Sequence, residues 1–287
     1  MNIQRFLVPS HGKKFSVKDF SPDSTAGVAD EKTGVSMLEK CRTSLADMQD
    51  KLYAQDTWAV LVVLQAMDAA GKDSTIKFVM SGVNPQGCQV LSFKEPSHEE
   101  LDHDFMWRYM KNMPERGRIG IFNRSYYEEV LVVRVHPQLL DKQRLPDPCK
   151  KEVWQRRFED INAVERYLVH NGVVPIKIFL NVSKDAQLKR LLKRLDKPSK
   201  NWKFAESDVA ERALWNDYMR AYEAMLQNTS TKHAPWYVVP ADNKWYTRVA
   251  VAEIITQRMA ELNLNYPAVS ADRRVALRKL RRRLAGG

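Results

Sequence analysis

Two hydrophobic periods alternate along the chain. Trp58 to Leu64 is an almost unbroken apolar run rich in β-branched residues, the pattern of a strand buried on both faces of a parallel sheet. Shorter runs of the same kind stand at Gln89–Phe93, Arg118–Phe122, Val173–Leu180 and Trp236–Val239. Between them apolar residues recur at three-to-four spacing, the period of an amphipathic helix. Leu38, Leu45, Met48 and Leu52 predict a helix over Val35–Gln55. Lys72–Met80 predicts another, closed by Gly82-Val83-Asn84-Pro85. Ser97 with Glu100 is a capping box, opening a helix expected to run through Leu101, Phe105 and Trp107 to about Lys111. Further helices are expected over Glu152–His170, Ser183–Leu195, Asp208–Gln227 and Trp245–Leu262, with Ser183 as an N-cap. Strands alternating with helices imply parallel pairing and a doubly wound α/β sheet.

The flanks break this rhythm. Residues 1 to about 35 are polar and irregular, an extended N-terminal arm laid on the domain. Residues 136–149 hold three prolines and read as a surface excursion. The stretch Arg274–Gly287, RVALRKLRRRLAGG, is either an amphipathic basic helix or a disordered solubilising tail.

Composition narrows the class. The chain has 287 residues, 44% of them hydrophobic, enough for a real core and suggesting one large α/β domain or a domain with appended pieces. No run approaches the roughly 18 apolar residues of a membrane span, and the first residues carry no signal-like apolar stretch. The default expectation is a cytoplasmic protein. Cys41, Cys88 and Cys149 are widely spaced and read as reduced thiols. The formal net charge is +11, which favours polyanionic partners: nucleic acid, anionic lipid or a phosphate polymer. The excess is concentrated. Lys184–Phe204 holds eight Lys/Arg against two acids, and Ala271–Gly287 holds seven against one.

The candidate chemistry begins at Leu61–Thr75, LVVLQAMDAAGKDST. A strand, a glycine-bearing turn, a lysine and a helix start form the layout of a phosphate-binding loop. Ala66 stands where the first glycine of the usual spacing belongs, and Asp73 is inserted between Lys72 and Ser74. Ala69, Ala70, Gly71, Asp73, Ser74 and, one turn on, Lys77 are the expected substrate contacts. A carboxylate inside an anion cradle would be repelled by phosphate unless a cation lay between, so Asp68 predicts Mg²⁺. Asn123–Glu129, NRSYYEE, follows a strand end, where ligands bind in parallel sheets. Arg124 can grip phosphate through its planar fork, and either Glu128 or Glu129 can complete the metal shell. On the basic helix Arg190 and Arg194 share one face. With Lys203 and the flanking Pro198-Ser199 they suggest a lid, about 184–207, that closes over phosphate.

Together, LQAMDAAGKDSTIK, GVNPQG, SFKEPSHEELDHDFMWR, GRIGIFNRSYYEEVLVVRV and RLLKRLDKPSKNWKF resemble the polyphosphate kinase 2 family over roughly residues 35–262. The resemblance implies a three-layer α/β/α P-loop kinase-like core, thymidylate-kinase-like, with a helical lid. The domain would then occupy 36–265, followed by a basic tail at 266–287. It implies Mg²⁺-dependent, reversible phosphoryl transfer between inorganic polyphosphate and nucleotides, with Mn²⁺ as an alternative ion. The form of the second motif is similar to the group, often called class III, that acts on nucleoside mono- and diphosphates, so AMP and ADP are the expected acceptors, with guanine nucleotides as a variation. By position, Asp68, Lys72 and Arg124 match the family's metal-linked aspartate, phosphate lysine and motif arginine. Arg194, with Arg190 competing, matches the lid arginine. Glu128 and Glu129 match the acidic pair, and many members carry Asp where this chain has Asn123. A homo-oligomer is expected, with no nucleic-acid partner and no membrane span. The rival readings are an ATP-dependent nucleotide kinase of similar fold and, from another class, a nucleic-acid-binding protein using the basic patches.

Overall fold

The computed structural model describes residues 1–10 and 15–286; residues 11–14 of the expected arm, and Gly287, lie outside the described residues. Five parallel strands form one sheet: β1 Ala59–Ala66, β2 Cys88–Ser92, β3 Ile119–Asn123, β4 Val173–Asn181 and β5 Trp236–Pro240, in the order β2-β3-β1-β4-β5. β1 is central, pairing Val60 with Ile119 on one side and with Val174 on the other. All eight of its residues are buried, which explains the absence of any polar alternation. The expected α/β class and parallel sheet are thus confirmed, with strand ends shifted by one or two residues.

Helices cover both faces. On one side lie α1 (Glu31–Gln55), α2 (Lys72–Val79) and, counting in chain order, α6 (Lys244–Ala260). On the other lie α3 (Val153–His170) and α5 (Trp215–Thr229), while α4 (Lys184–Leu195) follows β4. α1 starts four residues before the predicted boundary because Asp30 caps it, accepting the Thr33 N–H at 2.7 Å. Gly34 is tolerated inside that helix because a Cβ there would meet the Trp245 ring at 2.6 Å.

Two predicted helices are broken. The capping box forms, with Ser97 and Glu100 exchanging both hydrogen bonds, but its helix ends at Leu101. A second turn spans Trp107–Met110. Between them the Asp104 carboxylate accepts the Met106 N–H at 2.9 Å, a local bond that competes with helix continuation. The helix expected over 208–227 divides at Leu214 into Ser207–Ala213 and α5. The break turns Glu211 towards both His136 and Tyr218, whose ring nitrogen and hydroxyl meet its Oε2 at 3.0 and 2.5 Å. The proline-rich excursion carries two short helical turns, Gln138–Asp141 and Asp147–Lys150.

The first residues pack on the β5 edge. Val8 donates its N–H to Trp236 O at 2.9 Å, and Leu7 bridges Tyr237 in antiparallel fashion. Ile3, Phe6 and Val8 are buried, so an otherwise open sheet edge is covered. After Tyr266 comes α7, Ala271–Ala285, capped by Ser270. No residue of α7 is buried. No described helix is long and apolar enough to cross a membrane.

Candidate active site

The crevice lies past the carboxyl ends of β1 and β3, as parallel-sheet topology requires. The loop Met67–Gly71 turns the chain from β1 into α2. Gly71 takes φ 110°, a conformation that L side chains rarely adopt. Ala69 and Arg124 also lie at positive φ, 60° and 66°, so strained backbone flanks the crevice on both strands. Lys72 folds back and donates to Ala66 O at 2.8 Å. Burial lowers its pKa below the usual lysine value, while Asp68 pulls it up again.

Asp68 and Arg124 meet across the strand ends, Oδ1 to Nη2 at 2.9 Å. Both side chains are about a third or more exposed, 34% and 42%, so this pair is open to exchange for a ligand. Burial lowers the Arg124 pKa, and the neighbouring Glu128 and Asp68 more than offset it, leaving the guanidinium firmly charged. Glu128 lies close to Lys72, Arg124 and Asp68, and accepts from Gln65 at 3.1 Å. Burial nonetheless raises its pKa, because the nearby cations only partly repay the lost hydration.

The acidic pair is split. Glu129 points the other way, where its Oε2 accepts from Arg157 at 3.0 Å and from Gln143 at 2.8 Å. Both Glu129 and Arg157 are buried. Successive residues of the 3₁₀ turn Tyr126–Val130 face different sides; Glu129 also borders the smaller cavity, but Arg157 and Gln143 take up its carboxylate, which leaves Glu128 the less engaged acid. Of the two acids expected at a metal, Glu129 is therefore engaged in a structural ion pair and Glu128 faces Asp68.

Arg190 also departs from expectation. Its guanidinium donates to four backbone carbonyls: Ala69 at 3.1 Å, Ala70 at 2.7 Å, Ala241 at 2.5 Å and Asp242 at 2.9 Å. It ties the loop to the end of β5 rather than presenting free donors. Gln187, one turn earlier, donates to Asp68 O at 3.0 Å and does similar work. Arg194 is the more available of the two, held only by Asp208 and Lys203 O at 3.4 Å each. Lys77 is exposed on α2 and lines neither cavity. Ala69, Ala70, Gly71, Asp73 and Ser74 all line the larger one. Asp73 accepts from Asn123 at 2.8 Å, joining α2 to β3.

Two cavities meet at this point. The larger, about 670 Å³, is floored by the loop and walled by Lys193, Arg194, Lys200, Lys203 and Lys244. The smaller, about 380 Å³, has an apolar side formed by Val132, Val133, Leu139 and Tyr109, and many polar groups around it, among them Arg108 and Glu211. Arg124 and Phe93–Glu95 border both. One cavity is thus cationic, the other half apolar, and the Asp68–Arg124 pair and Glu128 stand at their junction.

Beneath the junction lies a buried ionic cluster. Lys177 of β4 donates to Glu165 at 2.6 Å, Tyr127 Oη at 2.9 Å and Thr229 O at 2.7 Å. Glu165 also accepts from Tyr126 at 2.9 Å and Tyr127 at 2.7 Å. Lys177 and Glu165 are wholly buried. The cluster fixes the two tyrosines that precede Glu128, and so fixes the turn that carries it.

The chain as a whole has known counterparts. A family model described as polyphosphate kinase 2 matches residues 28–267. The chain belongs to that family. It is 51% identical to an ADP-polyphosphate phosphotransferase of Rhodopseudomonas palustris over 84% of each chain. It is 43% identical to an AMP/ADP-polyphosphate phosphotransferase of Meiothermus ruber, covering 92% of this chain and 96% of that one. The crystal structure of polyphosphate kinase 2 from Arthrobacter aurescens TC1 superposes with a TM-score of 0.85 at 39% identity, over 95% of this chain and 98% of the other. The family resemblance and the kinase-like α/β fold are established by these matches.

Several residues of the site were not visible in the sequence. Gln65 is a lone polar residue in the apolar β1 run, a local anomaly that was a usable signal. Gln187, Lys244, His136 and Glu211 gave none, because folding alone brings them to the crevice from distant segments.

Proposed function

We propose that the protein transfers phosphoryl groups from inorganic polyphosphate to nucleoside mono- and diphosphates, AMP to ADP and ADP to ATP, reversibly. The observation that carries this reading is the pair of unlike cavities joined at Arg124. A cationic trough floored by the β1–α2 loop suits a phosphate polymer, which has charge but no apolar surface. A half-apolar pocket suits a nucleoside, whose base needs apolar walls and a few polar contacts. Relatives named for transfer between polyphosphate and ADP or AMP support it. A GDP-polyphosphate phosphotransferase at 31% identity suggests guanine nucleotides as further acceptors.

In this reading the terminal phosphate of the polymer rests on the loop and the acceptor phosphate reaches the junction from the smaller cavity. An acceptor oxygen bonds to the transferring phosphorus as the donor anhydride P–O bond breaks. The loose transition state needs position and positive charge more than covalent help. Lys72 and Arg124 supply that charge directly, and Arg194 adds it from the lid segment. No strong base is needed, because an acceptor phosphate already ionises near neutrality.

Mg²⁺ fits the donor set. Asp68 Oδ2 and Glu128 Oε2 have no hydrogen-bond partner among the described residues, and they come from adjacent strand ends. Mg²⁺ is commonly held by one or two carboxylates, its other positions going to water and substrate phosphates. No group of three or more metal-ligating side chains occurs among the described residues, so substrate oxygens must complete the shell. When bound there, the ion would offset the negative charge of the substrate phosphates. The chain's part is to hold it through Asp68 and Glu128.

The test is polyphosphate, AMP and Mg²⁺ with no nucleoside triphosphate present, following ADP and ATP. ATP formed from AMP supports both steps. Activity on ADP alone rejects the first step, and turnover only with a nucleoside triphosphate donor favours an ordinary nucleotide kinase.

A further inference from the structure

We propose that α7 is a second, remote holding site for long polyphosphate chains, separate from the crevice; this rests on polyphosphate being the donor. The helix carries Arg273, Arg274, Arg278, Lys279, Arg281, Arg282 and Arg283 against a single acid, Asp272. Arg274, Arg278, Arg281 and Arg282 share one arc of the helix, and Leu277, Leu280 and Leu284 lie on the arc beside it. The basic stripe spans roughly 12 Å at the helical rise.

Three observations point to a polyanion. First, no residue of α7 is buried, so the helix does not hold the fold together. Second, Arg274–Arg278, Arg278–Arg282 and Lys279–Arg283 are like-charge pairs four residues apart, which oppose the helix unless counter-charge arrives. Third, no residue of α7 has a salt-bridge partner among the described residues, although ion pairs are formed throughout the rest of the chain. Leucine, alanine, lysine and arginine are strong helix formers. The sequence therefore keeps the cations in helical register without a partner.

Position decides which chains can use the site. The Tyr266 hydroxyl donates to Asp50 of α1 at 2.6 Å, just before α7 begins. α1 ends beside the N-terminal edges of the strands, where Gly117 approaches Tyr53 and donates to Trp58 O at 2.8 Å. The crevice is at the opposite edge, and the eight residues of β1 alone span roughly 26 Å. A short oligophosphate in the crevice cannot reach the opposite edge, where Tyr266 leads into α7. A long polymer can occupy both, and the second contact then raises its effective concentration at the first.

The experiment compares the full chain with a variant carrying Arg274→Gln, Arg278→Gln, Arg281→Gln and Arg282→Gln. Fluorescence anisotropy measures binding of labelled long-chain polyphosphate and of labelled tripolyphosphate, without nucleotide. Steady-state kinetics with the same two donors runs in parallel. The expected result is an affinity loss of about tenfold or more, with a matching rise in KM, for the long chain alone, and kcat unchanged. Equal losses for both donors, or no loss for the long chain, overturns the proposal. A changed sedimentation coefficient or lost binding to anionic vesicles, with polyphosphate affinity unaltered, also overturns it in favour of a second copy or a lipid surface. If the full chain transfers nothing from polyphosphate, the catalytic reading fails, while the binding comparison still judges α7 on its own.

Discussion

Two clusters of opposite charge sit close together in this protein and behave as different materials. In the Lys177–Glu165 cluster the ammonium meets three acceptors and the carboxylate three donors, all out of water. At the crevice Asp68, Lys72, Arg124 and Glu128 are only partly paired, with carboxylate oxygens left over. Both use the same residue types. The saturated cluster has nothing left to offer a ligand and holds a turn in place. The unsaturated one waits for charge that the protein does not supply. The Arg157–Glu129 pair belongs to the first kind, which is why adjacent glutamates play unlike parts.

Substitutions can break that contrast, and the largest effect is expected at the loop. Lys72→Ala and Asp68→Asn should each lower kcat by on the order of 10³-fold while leaving the circular dichroism spectrum unchanged; near-normal turnover by either would remove that residue from the chemistry. Glu128→Gln should lower kcat on the order of 10²-fold and yet raise the Tm of the metal-free protein at neutral pH. The sign follows from its raised pKa: the stability it contributes is present below the ordinary glutamate value and lost as pH rises through the folded value. At neutral pH the buried charge is a liability, and a neutral isostere removes it. Glu129→Gln, whose carboxylate is already taken by Arg157 and Gln143, should lower kcat less than Glu128→Gln does; equal losses in kcat for the two variants would erase the distinction.

Lys177→Met should destabilise the fold by about 3–5 kcal/mol, since it leaves Glu165 buried and uncompensated. Chemical denaturation measures this, and the double variant with Glu165→Gln should recover part of the loss. Arg194→Ala should cost about tenfold in kcat/KM, less than Lys72→Ala, because its present contacts are long and it approaches from the lid side. An effect as large as that of Lys72 would place Arg194 on the transferring group itself. The smallest effect is the acid limb of Mg²⁺ affinity against pH. On acidification the affinity should begin to fall above the ordinary glutamate range as Glu128 takes up a proton in the metal-free protein, and a fall only at or below that range would contradict the burial of this acid.

Much of this was legible in one dimension. The five strands and the main helices follow from hydrophobic period, because burial on both faces of a parallel sheet forces an apolar run and burial on one helix face forces a three-to-four stripe. Caps at Ser97 and Ser183 were readable because their hydrogen bonds run only three residues along the chain. The loop and its aspartate were readable too, since strand, turn and helix start are consecutive.

The rest was decided in three dimensions. Which acid faces the crevice depends on a tight turn pinned from below by Lys177, a residue on another strand. Arg190 and Arg194 share a helix face, yet one is consumed by carbonyls of two loops and the other is not. The smaller cavity draws Glu211 from the helix Ser207–Ala213 and His136 from the proline-rich excursion, 75 positions apart. Local backbone preference and hydrophobic period act between near neighbours, so the sequence by itself determined the elements, their order and the presence of phosphate chemistry. Whether a given charge is satisfied or left free depends on partners brought from far along the chain, and only the packed structure determined that.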